Sequence, residues 1–388
     1  MSVGDAPKMV PNSPHPLPAT PKGPATPKGD ERVRRVGRVS RLLNRPELGA
    51  VSGLVLVFVF FAFTAGSSGM FAADGVMNWL TVSAQLGILA IGASLLMIAG
   101  EFDLSIGSMI GFAGMMIAIP ASFFGVPIWL CLIFAFAGAL AVGFLNGLIV
   151  IRTGLPSFIV SLAFLFILRG LTLALSIFFT NRTIVGGLRE KAESDWLAPL
   201  FGGRVGGAFF RQLAEWKLIG TYPDGAPVVA GLPMVVVWWL ILAVIGGWVL
   251  TRTRVGNWIF ASGGDANAAR NVGVPVTKVK IGLFMATAVC ATIYAACQVM
   301  EFGSAAADRG LLKEFEAIIA AVIGGSLLTG GYGSVIGACF GALIFGVVQQ
   351  GIFFAGWNSD WFRVFLGVML LIAVIFNNYI RRKVTGER

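Results

Sequence analysis

Charge is scarce in this sequence. Asp, Glu, Lys and Arg make up 12% of its 388 residues against 56% that are hydrophobic, and the mean hydropathy is +0.83. Soluble domains carry roughly a quarter charged residues, so the composition excludes an ordinary soluble domain. Histidine is nearly missing: His15 is the single one and sits in a proline-rich stretch, which leaves no material for histidine acid–base chemistry or a multi-histidine metal centre. No Gly-Lys-Ser or Gly-Lys-Thr occurs, so the phosphate loop of nucleotide hydrolases is absent. No catalytic, cofactor-binding or metal-binding residue is therefore assigned, no enzyme activity is expected, and energy for work has to come from a partner or a gradient. The four cysteines, Cys131, Cys290, Cys297 and Cys339, all fall in apolar stretches. Cys290 and Cys297 are two helical turns apart, about 10 Å, too far for a disulfide within one helix.

What is abundant is uncharged apolar sequence. A bilayer core takes about 20 apolar residues per helix, and Gly/Pro punctuation divides the chain into about ten such spans. They fall near 48–66, 77–99, 104–121, 128–151, 155–178, 233–251, 281–300, 314–329, 333–355 and 361–379. The expected fold is an all-α polytopic membrane bundle, with one membrane-spanning domain over 47–380. Residues 1–46 open on a proline-rich run and close on Arg32, Arg34, Arg35, Arg38, Arg41 and Arg45, reading as a disordered basic tail. Cytoplasmic loops are rich in Lys and Arg. With the tail inside, an alternating count also puts inside Arg152, the basic loop over 252–280 and the tail over 381–388 with Arg381, Arg382 and Lys383. The segment 181–232 then falls outside, with mixed charge and Trp196. The net charge of +10 lies beside apolar spans and points to a membrane surface rather than nucleic acid.

A few polar residues interrupt this pattern. Glu101 and Asp103 break the apolar sequence between the second and third spans. At membrane depth two carboxylates have to be paired, capped or wet; at the surface that cost vanishes. Asp103 suits capping of a helix that begins near Leu104, accepting from the N–H of Ser105 or Ile106, and direct contact with a transported solute is the competing role. Arg169 lies about 21 Å along a helix starting at Leu155, deep enough to need a carboxylate or water. Pairing with a residue such as Glu301 is one reading and lining a solute path the other. Gly333, Gly337 and Gly341, four apart, form a flat face for close helix packing. A short echo relates IGASLL at 91–96 to IGGSLL at 323–328, either a trace of duplicated halves or a coincidence.

Four motifs in order resemble the permeases of ribose-type sugar ABC importers. The first is Gly100, Glu101, Phe102, Asp103, Leu104, Ser105, Ile106, Gly107, Ser108, in which Glu101 replaces a glycine usual in that family. The second is GLPSFIVSLAFLFILRGL, which contains Arg169. The third, within 251–280, has Gly264, Ala268, Ala269, Arg270 and Gly273 in matching places, with Asp265 or Asn267 as a helix cap. The fourth carries Gly324, Gly325, Gly330, Gly331, Gly333, Gly337 and Gly341. The resemblance runs from roughly residue 80 to 380 and implies a type II ABC importer-like permease.

Several expectations follow from that resemblance. The loop over 252–280 presents a short coupling helix whose small alanines approach an ATP-binding cassette subunit closely. A second, identical permease chain completes the path as a homodimer, and an extracytoplasmic solute-binding protein delivers a sugar or polyol. ATP is hydrolysed by the partner subunit, this chain holds no cofactor, and lipid surrounds the bundle in an inner (plasma) membrane with both termini cytoplasmic. Glu101, Asp103, Ser105, Gly107 and Arg169 are the path or helix-break candidates. The alternative from another class is an ion-coupled secondary transporter with its ion ligand on Glu101, Asp103 or Arg169.

Overall fold

The computed structural model describes residues 46–385. The basic tail expected over 1–46 lies outside them but for Pro46, which opens the first helix, a position where its missing N–H costs nothing. In chain order the main elements are α1 (Pro46–Thr64), α2 (Ala73–Ile98), α3 (Ser105–Phe123), α4 (Ile128–Thr153) and α5 (Ser157–Thr180). The outer segment holds β1 (Ile184–Val185), α6 (Arg189–Glu193), α7 (Pro199–Gly202), β2 (Arg204–Val205), α8 (Gly207–Glu215) and β3 (Leu232–Pro233). Then come α9 (Met234–Arg252), α10 (Arg254–Gly264), α11 (Ala266–Asn271), α12 (Val276–Phe302), β4 (Ala305–Ala306), α13 (Lys313–Ile323), α14 (Val335–Phe354) and α15 (Asp360–Thr385).

Among the described residues, seven helices are long and apolar enough to cross a membrane: α2, α3, α4, α5, α9, α12 and α14. Gly49–Thr64 of α1 is a shorter apolar helix. The two innermost are α2 and α12, whose apolar windows are 78% and 83% buried, whereas α5 is 28% buried and turns Phe158, Phe166, Ile167 and Phe178 outward. Glycine makes the interior compact. A side chain at Gly143 would lie 2.6 Å from the Met285 Cα, so α4 and α12 touch backbone to backbone there.

One expected span does not form. The helix placed over 314–329 stops at Ile323, so α13 has 11 residues and reaches about 16 Å, half a hydrocarbon core. The remaining thickness is crossed without helix. From Gly303 at the end of α12 the chain descends along α3: Ala305 packs by Gly114, the Ala307 carbonyl by Gly111, and the Gly310 carbonyl by Gly107. Irregular backbone is tolerated at such depth only when protein encloses it, and these glycines provide the room. The outer segment fastens this descent, because β1 pairs antiparallel with β4 (Ile184 with Ala306, Val185 with Ala305) and Ala307 N–H donates to Thr183 C=O at 2.9 Å.

Candidate functional site: helix breaks, a buried carboxylate and the loop helices

α2 ends in a left-handed turn at Gly100 (φ +81°), closed by Glu101 N–H donating to Leu96 C=O at 3.1 Å. The chain then runs back into the bundle. Asp103 Oδ1 accepts from Ser105 N–H (2.9 Å), Ser105 Oγ–H (2.6 Å) and Asn146 Nδ2–H (3.3 Å), and Oδ2 accepts from Thr287 Oγ1–H (2.6 Å). Thr287 lies eleven residues after Val276 in α12, and Asn146 seven before Thr153 in α4, about 16 and 10 Å along their helices. The break is therefore deep, and its carboxylate is fully bonded: Asp103 steadies the first turn of α3 while clamping α3, α4 and α12 together. Glu101 makes an ion pair with Lys280 in the first turns of α12, and Phe102 N–H donates to Ser157 Oγ at 3.0 Å, fixing the start of α5. Asn146 and Thr287 were not singled out from the sequence, although each is an isolated polar residue in a long apolar helix.

Arg169 is in no ion pair among the described residues, with Glu301 or any other carboxylate. Glu301 interacts electrostatically with Arg204 of the outer segment, and the carboxylate within Arg169's field is Glu314. Glu314 sits in the first turn of α13, where a helix N-terminus favours negative charge, and is 2% exposed. Its Oε2 occupies the place that a side chain on Gly107 would need. Among the described residues Glu314 Oε2, Arg169 Nη2 and Ser108 Oγ are buried without a hydrogen-bond partner. Glu316, in the same first turn, pairs with Lys313. The signal for Glu314 and Glu316 was present as EFEAII, two carboxylates opening an apolar run in the same way as Glu101 and Asp103.

The loop between α9 and α12 folds into two short helices. Thr253 Oγ1 accepts from Gly256 N–H at 3.3 Å to cap α10, and Asp265 Oδ1 accepts from Asn267 and Ala268 N–H at 2.9 and 3.0 Å to cap α11. Arg270 donates to Asn267 Oδ1 at 2.8 Å. Gly273 (φ +86°) ends α11 in a Schellman turn, with its N–H to Arg270 C=O and Val274 N–H to Ala269 C=O. Ala268 and Asn267 face outward and Val272 is 79% exposed, whereas Ala269 is buried against the bundle. Ala269 therefore belongs to the internal packing of the loop and not to its outer face.

The far end of α10 touches both helix breaks. A side chain at Gly263 would collide with the Ile98 carbonyl and lie 2.6 Å from the Gly331 amide, which itself donates to Ile98 C=O at 2.8 Å. Gly330 (φ +81°) stands against Gly100, and Gly331 (φ +75°) against Gly264. Gly324 and Gly337 meet backbone to backbone, Gly341 abuts the Ala320 carbonyl, Gly333 packs on Ile98, and Gly325 (φ +93°) turns the chain after α13.

A polytopic helical bundle with deep polar helix breaks and a capped loop helix in backbone contact with them defines a membrane permease. The sequence profile described as "Branched-chain amino acid transport system / permease component" matches residues 75–374, and the chain belongs to this family. It is 29% identical over 373 residues to the xylose transport system permease protein XylH of Escherichia coli, covering 88% of this chain and 94% of that one. It is 30% identical over 343 residues to the ribose import permease protein RbsC of Escherichia coli, covering 87% and 96%. With the inner membrane ABC transporter permease protein YjfF of Escherichia coli it shares 32% over 302 residues, 77% and 82% of the two chains. No solved structure matches the chain.

Proposed function

We propose that this chain is the permease subunit of an ATP-binding cassette importer that carries a monosaccharide or related polyol across the inner membrane. The observation that carries this reading is the backbone contact of Gly263 with Ile98 and Gly331. A push on α11 from an ATP-binding cassette subunit reaches the deep breaks after α2 and α13 through contacts too tight to yield. That is what coupling of a distant hydrolysis step to a path requires. Sugar, rather than the amino acid of the family description, is favoured by the xylose and ribose permeases to which the chain is similar over nearly its whole length. Two of the three candidate ligands of the ion-coupled alternative are already engaged, Glu101 by Lys280 and Asp103 by Ser105, Asn146 and Thr287.

In this reading two copies of the chain flank the path. A solute-binding protein delivers sugar at the end bearing the outer segment, and partner ATPases bind the exposed residues of α11. ATP is hydrolysed by those partners, and this chain contributes no cofactor site. Both termini lie on the cytoplasmic side, which the basic flanks favour. The test is uptake by proteoliposomes holding the permease, its ATPase and its binding protein. Sugar accumulates with enclosed ATP and no ion gradient; accumulation driven by a proton or sodium gradient without ATP overturns the proposal.

A further inference from the structure

We propose that Glu314, Arg169 and Ser108 form a hydroxyl-binding site in the middle of the path, at which a neutral polyhydroxylated solute is held during passage. This rests on the reading of the chain as a sugar permease. The three side chains belong to separate elements, α13, α5 and α3, and each leaves one polar atom buried and unbonded: an acceptor on Glu314, a donor on Arg169, and a hydroxyl able to do both on Ser108. The neighbouring carboxylates behave differently, since Asp103 has all of its bonds and both Glu101 and Glu316 have cationic partners. Unbonded polar atoms are costly in an interior; Glu314 Oε2 lies against Gly107, the residue before Ser108, and Glu314 interacts electrostatically with Arg169, which makes these three the candidates to receive another molecule.

The charges select the class of ligand. Glu314 and Arg169 interact electrostatically but form no ion pair, so the guanidinium disfavours a cation at the carboxylate and the carboxylate disfavours an anion at the guanidinium. A hydroxyl group suits both, donating to the carboxylate while accepting from the guanidinium, and neighbouring hydroxyls on a sugar ring reach two partners at once. Gly107 is what lets the carboxylate approach α3, since any side chain there would displace Oε2. In this conformation the site is shut. Immediately before Glu314 the chain passes through Gly310 (φ +84°) and Leu312 (φ +66°), and left-handed backbone is strained for leucine. That turn is where the site opens, and Leu311, Leu312 and Phe315 beside it are exposed apolar residues.

The test uses the whole importer in proteoliposomes, with D-ribose, D-xylose and D-mannitol as labelled probes and ATP hydrolysis measured in parallel. Glu314→Gln, of unchanged size, should lower the sugar moved per ATP hydrolysed about tenfold, equivalent to about 1.4 kcal/mol, with the melting temperature of the solubilised permease unchanged. Ser108→Cys should react with a small methanethiosulfonate during turnover and be protected by the transported sugar. An unchanged ratio of sugar to ATP in Glu314→Gln, or a loss of uptake that only tracks a loss of thermal stability, overturns the site. Labelling of Ser108→Cys unaffected by sugar overturns it as well. Failure of the unaltered importer to move any of the three probes with ATP would instead reject the sugar reading itself, and the site with it.

Discussion

The hydroxyls of Ser94 and Ser326 lie 2.9 Å apart, joining the inside of α2 to the loop after α13. They hold the same place in the two echoing strings, IGASLL and IGGSLL, yet the strings fold differently. The first continues as helix to Ile98, while the second leaves the helix at Ile323. Where the first string has Ala93, the second has Gly325 at φ +93°, a conformation that alanine resists and glycine adopts freely. The two echoing segments therefore touch one another while differing in backbone course.

That pair should behave non-additively. Ser94→Ala or Ser326→Ala alone strands a buried hydroxyl and costs about 1–2 kcal/mol, whereas the double change removes both groups and costs less than the sum of the two. Thermal unfolding of the four proteins in detergent measures the coupling, and simple additivity would show that the bond contributes nothing.

Glu101 stands where the resembling family has glycine, and Lys280 answers its charge. The side chains are 11% and 13% exposed for Lys280 and Glu101, so removing one leaves the other poorly solvated. Glu101→Gly alone is expected to cost about 2–3 kcal/mol, and Glu101→Gly with Lys280→Met substantially less. Denaturation midpoints that fall equally for the single and double variants would refute the pairing.

Asp103 contributes more than a simple cap. A capping aspartate is worth about 1 kcal/mol, but this one receives bonds from Ser105, Asn146 and Thr287 at depth. Asp103→Ala should cost about 3 kcal/mol or more, with charged hydrogen bonds at about 1.5–3 kcal/mol each, and Asp103→Asn should be intermediate. A loss near 1 kcal/mol by chemical unfolding would reduce Asp103 to a local cap.

The two adjacent alanines of α11 separate docking from folding. Ala268→Arg adds bulk to the outward face and is expected to abolish co-purification with the ATPase while leaving the melting temperature unchanged. Ala269→Arg forces a charge into a site that is 4% exposed and should destabilise the permease itself by several kcal/mol, above about 3. Equal behaviour of the two in a pull-down and a melting assay would reject this division of the loop.

Much of the helix order was legible because apolar length is an unambiguous signal: α2, α3, α4, α5, α9, α12 and α14 lie within a few residues of their expected bounds. Hydropathy failed at α13 because it averages composition and is blind to backbone direction. The run from Ile323 to Ser334 carries no charge and so offers no stop signal to an averaged profile, while the left-handed glycines Gly325, Gly330 and Gly331 turn it out of helix. The site was half legible. Asp103, Arg169 and the capped loop stood out as polar or motif-bearing residues, but which carboxylate acts on Arg169 depends on how far the chain descends between α12 and α13, which no spacing in the sequence reveals. The face of α11 was hidden for a similar reason, since a six-residue helix is too short to show which side is apolar.

The clasp of β4 onto β1 anchors the start of the descending segment. From Ala307, tied to Thr183, the chain winds through consecutive turns, with Arg309 N–H donating to Ala306 C=O, Leu311 N–H to Asp308 C=O and Lys313 N–H to Gly310 C=O. Seven residues of chain thus join a point fastened to the outer segment to the buried carboxylate of Glu314, a short covalent tether between one surface of the molecule and its interior.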